Sequence, residues 1–134
     1  VMSSHATPET KGQLEAEISE ALIRFEKDYM GRGPDETRTH VIDDMVLVRL
    51  RGVLTPAERR LAASSDEGGR GRSLIKQVRI ELLEKARVLL GSLVHDLTGQ
   101  QVQSLHTDIS TVTGERIILF TLAAPPRVRD PDGS

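Results

Sequence analysis

An amphipathic helix, a glycine and a β-hairpin entered through a histidine occur twice in this chain. Gly33 precedes His40 by seven residues, and Gly99 precedes His106 by the same seven. A unit that recurs in this way suggests one α+β domain of two similar halves. The layering of helices on a sheet holds even without a true duplication, because neither a helix nor a hairpin can cover its apolar side alone.

The first helical pattern runs from Lys11 to Met30, with Leu14, Ile18, Ala21, Leu22, Phe25 and Tyr29 recurring at three- and four-residue steps. Gly31 is placed to end it in a left-handed conformation, and Pro34 blocks continuation. Strands follow at 37–42 and 45–51, turning at Asp43-Asp44, and Thr55-Pro56 opens a short helix to about Ala62. Residues 64–72 (SSDEGGRGR) have the composition of a flexible connector. Ser73 to Leu97 is the longest helical pattern, with Ile75, Val78, Leu82, Ala86, Leu89 and Leu93 in register and further leucines widening the stripe. At ~1.5 Å per residue it spans ~37 Å, more than the ~28 Å expected for a domain of this size. Part of it therefore packs on something outside its own sheet, and a second copy is the simplest candidate.

Gly99 closes that helix, and strands at 101–111 and 116–122 form the second hairpin, turning near Thr113-Gly114. The expected fold is α+β in the order α-β-β-α-α-β-β, two long helices on a four-stranded antiparallel sheet. Residues 1–10 read as a disordered lead, 11–123 as one domain, and 124–134 (from Ala124 into PPRVRDPDGS) as a disordered tail.

Composition narrows the chemistry. The chain has no cysteine, which excludes thiolate ligands, cysteine nucleophiles and disulfides and fits a cytoplasmic setting. Net charge is −2 with two Phe, one Tyr and no Trp. Nucleic-acid binding is disfavoured, because neither a basic surplus nor aromatic stacking platforms are present. The longest apolar stretch, Ile117 to Ala124, falls far short of the ~20 residues that span a bilayer, so direct membrane insertion is not expected.

Three groups of side chains are candidate ligand contacts. On the third strand, alternation puts Ser104, His106, Asp108 and Ser110 on one face, where an imidazole beside a carboxylate suits a cation or an oriented base. His40 occupies the matching place in the first hairpin, and a metal site gains weight only if it approaches His106. The plainer reading is that these residues are the solvent side of a half-buried strand. Arg32, in Gly31-Arg32-Gly33-Pro34, offers a guanidinium to an anion, although it follows a helix C-terminus, where the dipole has the wrong sign. Arg70 and Arg72 are better placed, since they lead into the long helix and Ser73 is positioned to cap it. No Gly-x-Ser-x-Gly elbow surrounds any serine, and no catalytic residue is assigned.

The run from Glu15 to Ala62 and the segment SLHTDISTVTGERIILFTL together resemble a small bacterial domain family. Gly31-Arg32-Gly33-Pro34, Leu54-Thr55-Pro56-Ala57-Glu58 and Leu105-His106-Thr107-Asp108-Ile109-Ser110 are its distinctive pieces. The family is named after the C component of a sodium-translocating, membrane-potential-generating system (MpsC-like), and the likeness covers about Lys11 to Leu122. The resemblance implies a cytoplasmic accessory domain linked to cation or bicarbonate movement and supplies no catalytic residue set. A chain without a spanning segment conducts no ion itself, so the implied partner is an integral membrane transporter. The expectation is thus a non-enzymatic accessory or regulatory module, a homodimer, acting through protein contacts or a small ligand. The competing expectation is a metal-dependent enzyme or sensor built on His106 and Asp108. Cofactor and metal are unspecified by either.

Overall fold

The computed structural model describes residues 9–63 and 69–129. The order is α1 (Lys11–Met30), β1 (Glu36–Ile42), β2 (Met45–Arg51), α2 (Pro56–Ala63), α3 (Arg70–Thr98), β3 (Val102–Ser110) and β4 (Glu115–Leu122). The α+β order expected from the sequence is the order found. Most of the expected lead (1–8), most of the connector (64–68) and the end of the tail (130–134) lie outside the described residues.

The four strands form one antiparallel sheet in the order β1-β2-β4-β3, so the hairpins join through their second strands. Period-2 alternation buries one face. Val41, Val46, Phe120 and Leu105 form one inner row, and Val48 and Ile118 sit at the centre of the next. The helices lie on this side, α1 against β1 and α3 against β3, and they touch each other. Leu14, Ile18, Leu22, Phe25 and Met30 carry the α1 stripe, and Ile75, Leu83, Ala86, Leu90 and Val94 that of α3.

Helix α1 starts at a capping box in which Thr10 and Gln13 satisfy each other's backbone N–H groups, and it ends at Gly31 with φ 86°. Residues 124–129, part of the expected tail, return to this end of the molecule, where the Arg129 N–H donates to the Glu9 carbonyl. Each edge strand is blunted by a helix side chain. The Val41 N–H donates to Glu15 at 2.8 Å, and Arg87 donates to the Leu105 carbonyl at 3.1 Å. The irregular register between Val102 and Ser104 is the point where Val102 breaks the alternation of β3.

The expected start of the long helix needs correction. It begins at Arg70, not Ser73, and Gly69 stands at its N-cap position with no side-chain cap. The reason is packing. A Cβ on Gly71 would lie 2.3 Å from the Leu61 carbonyl oxygen, so the glycine lets α2 press against the first turn of α3. Glycines that resemble linker composition are here a helix contact, and Arg70 and Arg72 are helical. At 29 residues α3 is ~43 Å long. It leaves Leu74, Val78, Leu82 and Leu89 partly exposed along one side.

Candidate functional site: an arginine-lined cleft

The short helix α2 is held by a reciprocal cap, Thr55 hydroxyl accepting from the Glu58 N–H and Glu58 accepting from the Thr55 N–H. It forms one wall of an open cleft of about 620 Å³, within the size range of small-molecule sites. The other walls come from the end of β2, the first turn of α3 and the β3–β4 turn. Arg51, Arg59 and Arg72 line the cleft, and among the described residues Asp35 is the one carboxylate lining it. Arg32 neutralises that carboxylate at 2.7 Å and donates through Nε to the Gly52 carbonyl at 3.0 Å. Gly52 is required there, because its φ is 70° and a Cβ would meet Asp35 at 2.1 Å.

Among the described residues the three remaining guanidiniums are only loosely engaged. Arg51 lies 3.6 Å from Glu36 and 3.9 Å from Glu115, and Arg72 donates to the Ala62 carbonyl at 3.2 Å. Among the described residues Arg59 has no ion pair. Helix α3 has no acidic residue in its first turn, so Arg72 stands near the positive end of the helix dipole. An anion in this cleft relieves mutual repulsion among the guanidiniums and that unfavourable placement together.

The residues singled out in the sequence thus separate. Arg72 lines the cleft and Arg32 supports its wall, whereas Arg70 is exposed and does not line it. His40 and His106 are both exposed and lie in one row across the sheet, His40 opposite Leu47, Leu47 opposite Leu119, and Leu119 opposite His106. They stand on opposite edge strands, three strand spacings or ~14 Å apart, too far to share a cation. His106 Nε2 pairs with the Ser104 hydroxyl at 3.1 Å, and Asp108 with Lys76 at 3.2 Å. The Ile109 N–H and then Lys76 hold the Asp108 carboxyl below its ordinary range. Among the described residues no three His, Asp or Glu are grouped to hold a metal ion.

Beside the cleft lies a cluster that the sequence reading missed. Glu26 of α1, Arg79 of α3 and Arg116 of β4 are at most 2 % exposed. Arg79 donates twice to Glu58, at 2.6 and 3.1 Å, and once to the Val53 carbonyl at 2.9 Å. Its Nη1 lies 3.5 Å from Glu26, and Arg116 Nε lies 3.9 Å from the other Glu26 oxygen. Burial pushes the Glu26 carboxyl up, against the pull of Arg116 and Arg79. Burial also works on Glu58, yet its bonds to Arg79 and Thr55 hold it below the ordinary value. The sequence does hold a signal: Glu26 falls four residues after Leu22, Arg79 four after Ile75, and Arg116 in the alternation with Ile118 and Phe120. Charges on buried register positions must be paired.

Comparison with known proteins fits this architecture. Residues 10–124 match the family described as "Na+-translocating membrane potential-generating system (MpsC)". A Bacillus subtilis (strain 168) relative described as "Uncharacterized protein YbcI" is 42% identical over 113 residues, covering 84% of this chain and 88% of the relative. No solved structure matches the chain. On the extent of these matches, the chain belongs to the MpsC family.

Proposed function

We propose that this chain is a non-enzymatic accessory module, working at the cytoplasmic side of a membrane assembly that moves a cation or bicarbonate. A small anion held in the arginine cleft regulates it. The observation that carries this reading is the convergence of Arg51, Arg59 and Arg72 on one cleft in which, among the described residues, the lining carboxylate Asp35 is already engaged by Arg32. In it Arg59 and Arg72 contact the anion, while Arg32 holds Asp35 away from it. No described helix is long and apolar enough to cross a membrane, so the reading assigns ion passage to another chain. The exposed stripe Leu74, Val78, Leu82 and Leu89 of α3 supplies contact surface for that assembly, and the module itself is a homodimer.

Two measurements test the reading. Calorimetric titration with inorganic phosphate and with bicarbonate should show binding of at least one to the wild-type chain and of neither to the Arg59→Glu/Arg72→Glu variant. Membrane vesicles from cells lacking the chain should lose Na+-driven potential, read with a voltage-sensitive dye, and regain it with the wild type but not with that variant. Equal binding by both proteins would remove the anion site, and an undiminished potential without the chain would remove the transport role.

A further inference from the structure

The outer face of the sheet carries no described helix, yet its centre is apolar. Met45, Leu47, Ile117 and Leu119 point outward from the two middle strands, and Ile42 beside them is 45 % exposed. From the register of this face, we infer that it is the interface of a homodimer in which two sheets pack face to face. In that dimer β1 of each copy lies over β3 of the other. This deepens the homodimer part of the reading above, and its failure would leave the anion titration untouched.

Charge selects the occupant and the axis. On the β1–β2 half the outward charges are Arg38, Arg49, Arg51 and Glu36, whereas on the β3–β4 half they are Asp108 and Glu115. One half is therefore net positive and the other net negative, so the face is complementary to itself when one copy is turned over. A two-fold axis between the sheets, parallel to the strands and midway between β2 and β4, preserves every row. It sets Leu47 over Leu119, Arg51 over Glu115 and Arg38 over Asp108 of the second copy, the last drawing Asp108 from Lys76 of its own chain, and it leaves Arg49 over Ile117 as the one charge set on hydrocarbon. His40 then stands over His106 of the second copy. An axis perpendicular to the strands instead turns Glu36 and Arg51 onto Ile42 and Met45 and Arg49 onto Leu47, stranding three charges on hydrocarbon where the parallel axis strands one.

Edge-to-edge pairing is the other way a sheet recruits a copy, and here it meets obstacles. Glu15 occupies the Val41 N–H and Arg87 the Leu105 carbonyl, one on each edge. The face itself measures about 19 by 23 Å from ~4.8 Å strand spacing and ~3.3 Å rise over seven residues. Two such faces come to roughly 900 Å² in projection, below the ~1,200–2,000 Å² buried by stable complexes, which places the dimer in the weak, reversible class.

The chain contains no cysteine, so thiols can be placed at will. The His40→Cys/His106→Cys variant, treated with a short bis-maleimide at tens of micromolar protein, should give a covalent dimer on a denaturing gel. Neither single variant should do so, because each thiol lies far from its own equivalent in the other copy. Leu119→Lys should raise the dimer Kd at least tenfold by sedimentation with its melting curve unchanged, since the side chain leaves the inner core intact. Mixing Leu119→Lys with Leu47→Glu chains should restore association, because those positions face each other. A wild type that sediments as monomer at ~100 μM would overturn the inference. So would cross-linking by either single variant as efficient as by the double one, or no cross-linking by the double variant.

Discussion

Replacing Arg79 by Met keeps a long flexible side chain and removes the charge that ties α3 to α1, α2 and the β2–α2 loop. The structure sets the size of the loss. Arg79 supplies two hydrogen bonds to Glu58, one to the Val53 carbonyl and an ion contact to Glu26. Without it the Val53 carbonyl lacks that donor, and Glu26 is left with Arg116 at 3.9 Å as its compensating charge. Breaking a buried pair from one side typically costs about 3–5 kcal/mol. For a domain of this size that is a fall in Tm on the order of 10–15 °C. The loss also depends on pH. Glu26 has a folded pKa above its unfolded value of 4.5. Its buried charge therefore adds no cost while it stays protonated and destabilises progressively as pH rises from 4.5 through the folded value. Removing Arg79 extends that window upward, so the variant should lose more stability at pH 7.5 than at pH 5. Glu58 has the opposite sign, with a lowered folded pKa, and its contribution is present above 4.5 and lost on acidification. Losing the Arg79 bonds also raises Glu58, and that effect adds to the larger loss at pH 7.5 in the same direction. Urea unfolding at pH 5 and pH 7.5 measures both losses. A loss under about 1 kcal/mol at pH 7.5, or the same loss at both pH values, would refute the assignment of a stabilising role to this cluster.

Two further substitutions test the packing that shapes the cleft. Gly71→Ala forces a methyl to within 2.3 Å of the Leu61 carbonyl, so α2 must shift, and urea unfolding should show a loss of about 1–3 kcal/mol. An unchanged midpoint would mean that α2 does not press on α3 there. Thr55→Ala removes the hydroxyl that caps α2 at the Glu58 N–H and should cost about 1 kcal/mol in the same measurement.

Local pattern was enough for much of this fold. Spacing of Leu14, Ile18, Leu22 and Phe25 marks α1, and alternation through β2 and β4 marks the strands, because both signals arise within one turn or one pleat. What the chain does not show locally is which neighbour an element meets. Gly71 reads as linker until α2 is known to lie against it. Glu26, Arg79 and Arg116 read as surface charges unless the register that buries Ile75 and Leu83 is also applied to them. The cleft is half legible: charge and position in the chain point to Arg32 and Arg72, but Arg51 and Arg59 join them only through the docking of α2. The histidines make the point most sharply. Equal spacing from Gly33 and Gly99 puts His40 and His106 at equivalent places in their hairpins, whatever the sheet order. Had the hairpins joined through β1 and β3, the two imidazoles would be direct neighbours, ~5 Å apart, within reach of a shared ion. They join through β2 and β4, so the same spacing sends each imidazole to an outer edge with Leu47 and Leu119 between. One topological choice, set by which apolar strands pair at the centre, turns a candidate chelate into the two ends of a self-complementary face.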